Sequence, residues 1–478
     1  MADYRDDGKR KVGGCVGIGL LVVLVLVLGL VGLASFRAGG EPEIAIEPSA
    51  KGIGARTPIE VRVASGGRGL DDVRVELVQG ERVEVVAEKE YTPRPAWAFW
   101  GERTAEDTFT VEVGRATVPN LRSGDATVRV VAERPGTWLR SPDPAVAEVT
   151  LPVRLTPPSL SVLSNQHYVT QGGAEVVVYR VGDTAERSGV EAGEWFFPGY
   201  ELPGGGAGER FALFAWPYDV ADPNAVKLIA IDDVGNRAEA SFVDRFTPKA
   251  PSEGTIELTD GFMSRVVPEI INNTPGFEDQ GTLLENYLWV NGELREQNRR
   301  RLVELGSRTS AELLFHEPFL PFPGGQVMSP FATHRTYVYD GKKVDEAFHL
   351  GFDLASTQKA PVPAAANGRV LLAEYHGIYG NAVVLDHGYG VMTLYGHLSS
   401  LDVQEGQTVE RGQSVGRTGQ TGLAGGDHLH YEVMLRGYPT TPVEWWDRKW
   451  LTDRLSRKLG DAWSLEQPGQ GGVQGAAR

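Results

Sequence analysis

Between residues 42 and 154, apolar and polar residues alternate in short runs, EIAIE, IEVRVA, DVRVELV, TFTVEV, ATVRVVAE and AVAEVTLPV, broken by Gly, Pro and Asp. A period of two sends successive side chains to opposite faces of a strand, so this spacing predicts a β-sandwich module. After Thr156-Pro157-Pro158 a second set follows over 159–247: SLSVLS, AEVVVYRV, RFALFAWPY and VKLIAIDDVGNRAEASF. In the last run, Gly235 and Asn236 tolerate positive φ and can close a hairpin between two alternating stretches. The period then lengthens. Over 251–316, Leu283, Leu284, Tyr287, Leu288, Leu294, Leu302, Val303 and Leu305 recur at helical intervals among Glu and Arg, predicting a helical connector kinked at Gly292. Within it, Arg299-Arg300-Arg301 lies among acidic residues and reads as a solvated helix face. From 317 to 450 alternation returns, and 451–478 reads as a short helix followed by a disordered Gly, Gln and Ala tail.

One stretch has neither period. Residues 12–36 carry no charge, and as a helix they span about 38 Å, enough for a hydrocarbon core of about 30 Å. A cleaved signal peptide would have an apolar region of only about 7–15 residues, so a retained transmembrane helix is expected. Arg5, Lys9, Arg10 and Lys11 precede the run and only Arg37 closely follows it. That asymmetry puts residues 1–11 in the cytoplasm as a short tail and the rest outside, in the periplasm.

Composition agrees with a mainly β, multidomain chain: 478 residues, with Gly 59 and Pro 29. A formal charge of −16 provides no basic face for nucleic acid, which is not expected as a partner. Cys15, inside the apolar run, is the sole cysteine. Disulfides and a cysteine nucleophile in the exported part are thereby excluded.

Nine histidines are present, and seven fall between His334 and His430. Three phrases stand out: FHLGFDLA around His349 and Asp353, LYGHLSSL around His397, and GGDHLHYEVM around His428 and His430. In the third, apolar Leu429, Tyr431, Val433 and Leu435 alternate with the histidines, so a strand is favoured, with both imidazoles on one face about 7 Å apart. Gly351, between His349 and Asp353, disfavours a helix and favours a bend that lets histidine and carboxylate converge. His376 and His387 lie in turn-like phrases and read as structural, as do His167 and His316; His334 is a candidate for the groove lining. Gly412-Gln413-Ser414-Val415-Gly416 matches G-x-S-x-G, but the glycine-rich RTGQTGLAGGD after it cannot open the helix that a serine nucleophile requires.

From about Ser329 to Trp450 the chain resembles the lysostaphin/LytM-type zinc endopeptidases. The phrases that carry the resemblance are HLGFD, APVPAAANGRVLLAEYHGIYGNAVVLDHGYGVMTLYGHLS, VQEGQTVERGQSVGRTGQTGLAGGDHLHYEV and PVEWWD. The resemblance implies an antiparallel β groove holding one Zn2+ through His349, Asp353 and His430, with His397 and His428 as the catalytic histidines. It also implies hydrolysis of peptide cross-links in bacterial peptidoglycan. Relatives that have lost ligands act instead as activators or scaffolds of other wall hydrolases, the alternative reading here. Expected partners are therefore peptidoglycan, the inner membrane through residues 12–36, and cell-wall or division proteins. The hairpin at 226–242 resembles the last one of bacterial immunoglobulin-like modules, giving two immunoglobulin-like modules before the connector; these are expected to act as spacer and partial lid.

Overall fold

The computed structural model describes residues 10–466. The start of the expected cytoplasmic tail and the tail from Gln467 lie outside the described residues. The chain divides into two compact units, residues 1–157 with 231–237, and residues 158–230 with 238–478.

In the first unit a helix, Arg10–Phe36, leads into two antiparallel sheets. One has the order Glu43–Pro48, Thr57–Ala64, Glu106–Val113; the other has the order Arg82–Glu90, Asp72–Gln79, Gly124–Ala132, Ala145–Val153. Strand Thr57–Ala64 alternates strictly, so that Ile59, Val61 and Val63 turn inward and meet Val73, Val75, Val128 and Val130 of the other sheet in one core. Each such side chain contributes roughly 1.5–3 kcal/mol on burial. The alternation thus holds the two layers together.

Residues 160–240 form two further four-stranded sheets, in the second unit except for residues 231–237. Their hairpin, Val226–Asp232 with Arg237–Ala240, turns at Gly235, whose φ is +84°; Asn236 does not enter the positive-φ region. The turn is pinned instead by Asp232 Oδ1, which accepts from the backbone N–H groups of Val234 and Asn236.

The remainder is built on an antiparallel eight-stranded sheet that runs Gln326–Ser329, Phe352–Ala355, Leu429–Leu435, Val391–Leu398, Asn381–Gly388, Gly368–Tyr375 and Thr408–Val409, with Tyr438–Thr440 paired to Leu429–Leu435. Strands Val391–Leu398 and Leu429–Leu435 are buried on both faces. Val391, Tyr395, Val433 and Leu435 pack on one side with Phe319 and Trp445. Met392, Leu394 and Met434 pack on the other against Met263, Val266, Tyr287 and Leu302.

The second of these layers alters the expected domain division. Residues 251–316 are not a separate connector but one wall of the core of this eight-stranded sheet. They also open with a strand, Ser252–Glu257, which pairs in parallel with Thr333–Tyr339 and through it with Lys342–His349. Its alternation, with Ile256 inward, is short enough to be lost beside the stronger helical period that follows. The helices are Asp260–Asn272, capped by Thr259, then Leu283–Trp289, started by a Thr282/Glu285 capping box, and Arg295–Gly306. Where a kink is expected at Gly292, a π-helical turn over Val290–Leu294 joins the last two.

Candidate metal centre

His349 ends its strand, and Asp353 lies on Phe352–Ala355 directly opposite His430 on Leu429–Leu435. Gly351 permits this approach for a reason beyond backbone bending: a Cβ there would lie 2.7 Å from Cε1 and Nε2 of His430. The strand pairing brings His349 Nε2 to 2.9 Å from Asp353 Oδ1 and 3.1 Å from His430 Nδ1, which is itself 3.0 Å from Asp353 Oδ1. One ligand atom from each residue lies within 4.8 Å of the others. His397 and His428 complete the cluster, their ring centroids 4.8 Å apart, with His397 5.7 Å from His430. His428 Nε2 stands 3.4 Å from Asp353 Oδ1. All five side chains expected at the site converge.

The outer partners of the four imidazoles settle which nitrogen faces inward. His397 Nδ1 is 2.8 Å from the Thr421 carbonyl and His428 Nδ1 is 2.8 Å from the Gly426 carbonyl. His349 Nδ1 is 3.2 Å from the Pro330 carbonyl, and His430 Nε2 is 2.9 Å from Glu432 Oε1. Carbonyl and carboxylate oxygens only accept, so each of these nitrogens can carry the proton when the opposite nitrogen, which faces Asp353 or a neighbouring ring, gives its lone pair to a metal at the centre. That donor set, two imidazole lone pairs and a carboxylate, fits a zinc ion, which takes nitrogen and oxygen ligands at about 2.0–2.2 Å.

Burial sets the charge states. It pushes His349 down to about 4 and His397 well below the ordinary imidazole value, keeping both neutral. For Asp353, burial opposes ionisation but is outweighed by His349 and by hydrogen bonds from His428 and His430, and its carboxyl stays well below the usual range. For His430, burial is likewise outweighed, here by Asp353 and Glu432, which raise it to about 9.

His397 has φ +62°, a left-handed conformation that is rare for a residue with a Cβ. Strain of this kind, of order 1–3 kcal/mol, concentrates at functional positions, and no feature of the sequence signals it.

The centre lies in a cavity of about 530 Å³ whose walls include residues absent from the sequence reading. Glu432 is 1% exposed and also accepts from Tyr379 Oη at 3.0 Å. It follows His428 and His430 in the same period of two, a signal that could have found it. Arg335 donates to Asp353 Oδ2 at 2.7 Å and to Ser329 Oγ at 2.8 Å. Arg295 and Arg299 reach the cavity from the helix above. Arg299 therefore corrects the reading of its triplet. Arg300 and Arg301 pair with Glu293 and Glu304 on the exposed face, whereas Arg299 is half-buried and faces Tyr379 and Glu432.

The other histidines are structural. His387 is fully buried, with Nδ1 at 2.7 Å from the Asn367 carbonyl and Nε2 at 2.8 Å from Thr393 Oγ1. His376 is 3.3 Å from the Asn298 carbonyl, and His167 contacts Ser164 Oγ at 2.8 Å. His316 is 3.0 Å from the Ser464 carbonyl. His334, expected as a lining candidate, does not line the cavity and instead meets Glu253 at 3.0 Å. Ser414 hydrogen-bonds to Asp402 on a strand with no helix behind it, as its sequence context implies.

Residues 347–442 match the model of Peptidase family M23. The DD-carboxypeptidase/endopeptidase Mpg of Neisseria meningitidis serogroup B is 45% identical over 95 residues, 20% of this chain and 22% of that protein. Peptidoglycan DD-endopeptidase ShyA of Vibrio cholerae is 43% identical over 96 residues, again 20% and 22%. The murein hydrolase activator EnvC of Escherichia coli is 29% identical over 159 residues, 33% of this chain and 38% of that protein. The likeness thus spans less than a quarter of the two endopeptidases.

Proposed function

The C-terminal domain belongs to peptidase family M23, and on that footing we propose that the chain is a membrane-anchored zinc metalloendopeptidase that hydrolyses peptide cross-links of peptidoglycan outside the cytoplasm. The observation that carries this reading is the convergence of His349, Asp353 and His430 on one point, with the lone pairs of His397 and His428 turned toward the same space. His349 Nε2, Asp353 and His430 Nδ1 would hold the zinc. When bound, zinc supplies Lewis-acid polarisation of the scissile carbonyl and lowers the pKa of the attacking water.

The side chains of the protein do the rest. His397, neutral through burial, has Nε2 free to accept the proton of that water, while the Thr421 carbonyl fixes its ring. His428, fixed by the Gly426 carbonyl and with its ring centroid 4.8 Å from that of His397, directs Nε2 into the same space, where, once it carries the proton relayed from His397, it stabilises developing oxyanion charge and passes that proton to the leaving amine. Tyr379 and Glu432 hold His430 in the tautomer that leaves Nδ1 for the metal. The helix Arg10–Phe36 serves as the anchor, with its N-terminal end in the cytoplasm; an apolar Ile18–Phe36 stretch of mean hydropathy 2.9 supports this. The direct D-alanyl cross-link is the proposed scissile bond, in keeping with the names of the two endopeptidase relatives.

Mass spectrometry of defined cross-linked muropeptides treated with the purified full chain tests the proposal. Cleavage is expected with zinc, none with a chelator, and recovery on zinc re-addition. If the zinc-loaded protein releases nothing yet stimulates a wall amidase, the activator role suggested by the EnvC likeness replaces this one.

A further inference from the structure

The first unit exposes a cluster of large apolar side chains that neither the catalytic reading nor the spacer reading uses. Trp97, Phe99 and Trp100 lie in the segment between strands Arg82–Glu90 and Glu106–Val113, and Trp138 and Leu139 lie in the one before strand Ala145–Val153. Trp100 is 71% exposed and Trp138 is 76% exposed. Both segments stand at the end of the apolar helix, where Phe36 is 64% exposed.

Three sets of bonds tie these parts into one surface. Trp138 Nε1 donates to Ser35 Oγ at 2.6 Å, and Thr137 Oγ1 donates to the Ser35 carbonyl at 2.6 Å. Arg37, the first charged residue after the helix, donates to the Ala98 carbonyl at 2.5 Å and lies over the Phe99 ring at 4.2 Å. Arg68, only 8% exposed, joins the two segments, donating to the carbonyls of Arg94 at 2.6 Å, Pro135 at 3.1 Å and Gly136 at 2.6 Å. A buried guanidinium spent on three backbone carbonyls fixes the aromatic segments in place.

The surrounding charge points to a particular occupant. Residues 37–42, 91–105 and 133–144 carry Arg37, Arg94, Arg103, Arg134 and Arg140 against Glu41, Glu102, Glu133 and Asp143, a basic excess in a chain of net charge −16. Tryptophan beside arginine, continuous with the end of an apolar helix, is the chemistry of the headgroup layer: the indole sits between chain and water, and the guanidinium meets phosphate.

We propose that this face is a membrane-docking surface, seated on the phospholipid headgroups of the leaflet from which the helix emerges. Docking there would hold the first β module against the bilayer instead of leaving it to swing on residues 37–42, and so would fix where the rest of the chain starts. The inference rests on the helix crossing a membrane and is independent of the peptidase chemistry.

The test reconstitutes the full chain into phosphatidylcholine/phosphatidylglycerol vesicles, with and without lipids brominated near the carbonyl end of the acyl chain. Three of the ten tryptophans belong to the surface, so bromine should quench about 30% of the emission, and W97F/W100F/W138F should abolish that loss. Bromine at the chain terminus should quench less. Since the decisive reading is on the unaltered protein, a poorly folding triple variant does not blunt the test; W100F alone provides a milder comparison. Protein that resists alkaline carbonate extraction but shows no bromine quenching overturns the docking surface and leaves the span intact. Protein that carbonate removes overturns the membrane span itself.

Discussion

Glu432 accepts a hydrogen bond from Nε2 of His430 at 2.9 Å from a position two residues further along the same strand face, and its own burial is almost complete. The carboxylate fixes the imidazole tautomer and increases the basicity of the nitrogen that faces the centre. Replacing Glu432 by Gln should therefore weaken zinc binding by about 10–100-fold while leaving the fold intact. Competition with a chromophoric chelator measures this; unchanged affinity would remove Glu432 from the site.

The two groups of histidines should separate in experiment. His349→Ala removes a proposed metal ligand, so stoichiometric zinc should be lost along with activity. His397→Ala should keep the zinc and lower kcat by about 10²–10⁴-fold, the usual range for a lost acid–base group. Elemental analysis beside turnover distinguishes the two, and a zinc-free His397→Ala protein would contradict the assignment.

Arg299 places a half-buried guanidinium at the cavity with no carboxylate within 4.0 Å among the described residues. Peptidoglycan stems carry free carboxylates, and Arg299→Gln should raise KM for such peptides by about 10-fold, the value of a charge-assisted hydrogen bond of roughly 1.5 kcal/mol. Peptides with the same carboxylates amidated should respond far less. An equal loss on both would assign Arg299 a structural role.

Burial depresses His167, His376 and His387 to about 4 each. An imidazole whose folded pKa lies below its unfolded value of about 6.5 contributes stability that is complete above 6.5 and is lost as pH falls toward 4. Each adds up to about 1.4 kcal/mol per pH unit to the slope in that window. Chelator-treated His387→Gln protein should show a shallower fall in stability between pH 6.5 and 4 than chelator-treated parent. Parallel curves would show that His387 titrates normally.

Leu302 is fully buried between the helix Arg295–Gly306 and the catalytic sheet. Leu302→Ala should cost about 2–5 kcal/mol, read from denaturant unfolding of the full chain. For the same reason, a chain starting at residue 317 should expose the face of Met392, Leu394 and Met434 and aggregate. A stable, soluble fragment of that kind would restore the connector to a detachable element.

Local periodicity was enough to place the apolar helix and the alternating strands, whereas the five side chains of the centre were singled out by the family resemblance. A strand repeats every two residues, so His428 and His430 had to share one face. The same rule reaches Glu432, which continues the period of His428 and His430. Long-range packing decided what local spacing leaves open. The left-handed backbone of His397, the closeness of Gly351 to the His430 ring, and the selection of Arg299 from three adjacent arginines each depend on elements distant in sequence. So does the union of residues 251–316 with the catalytic sheet, because a helix pattern shows that one face is buried but not which sheet buries it.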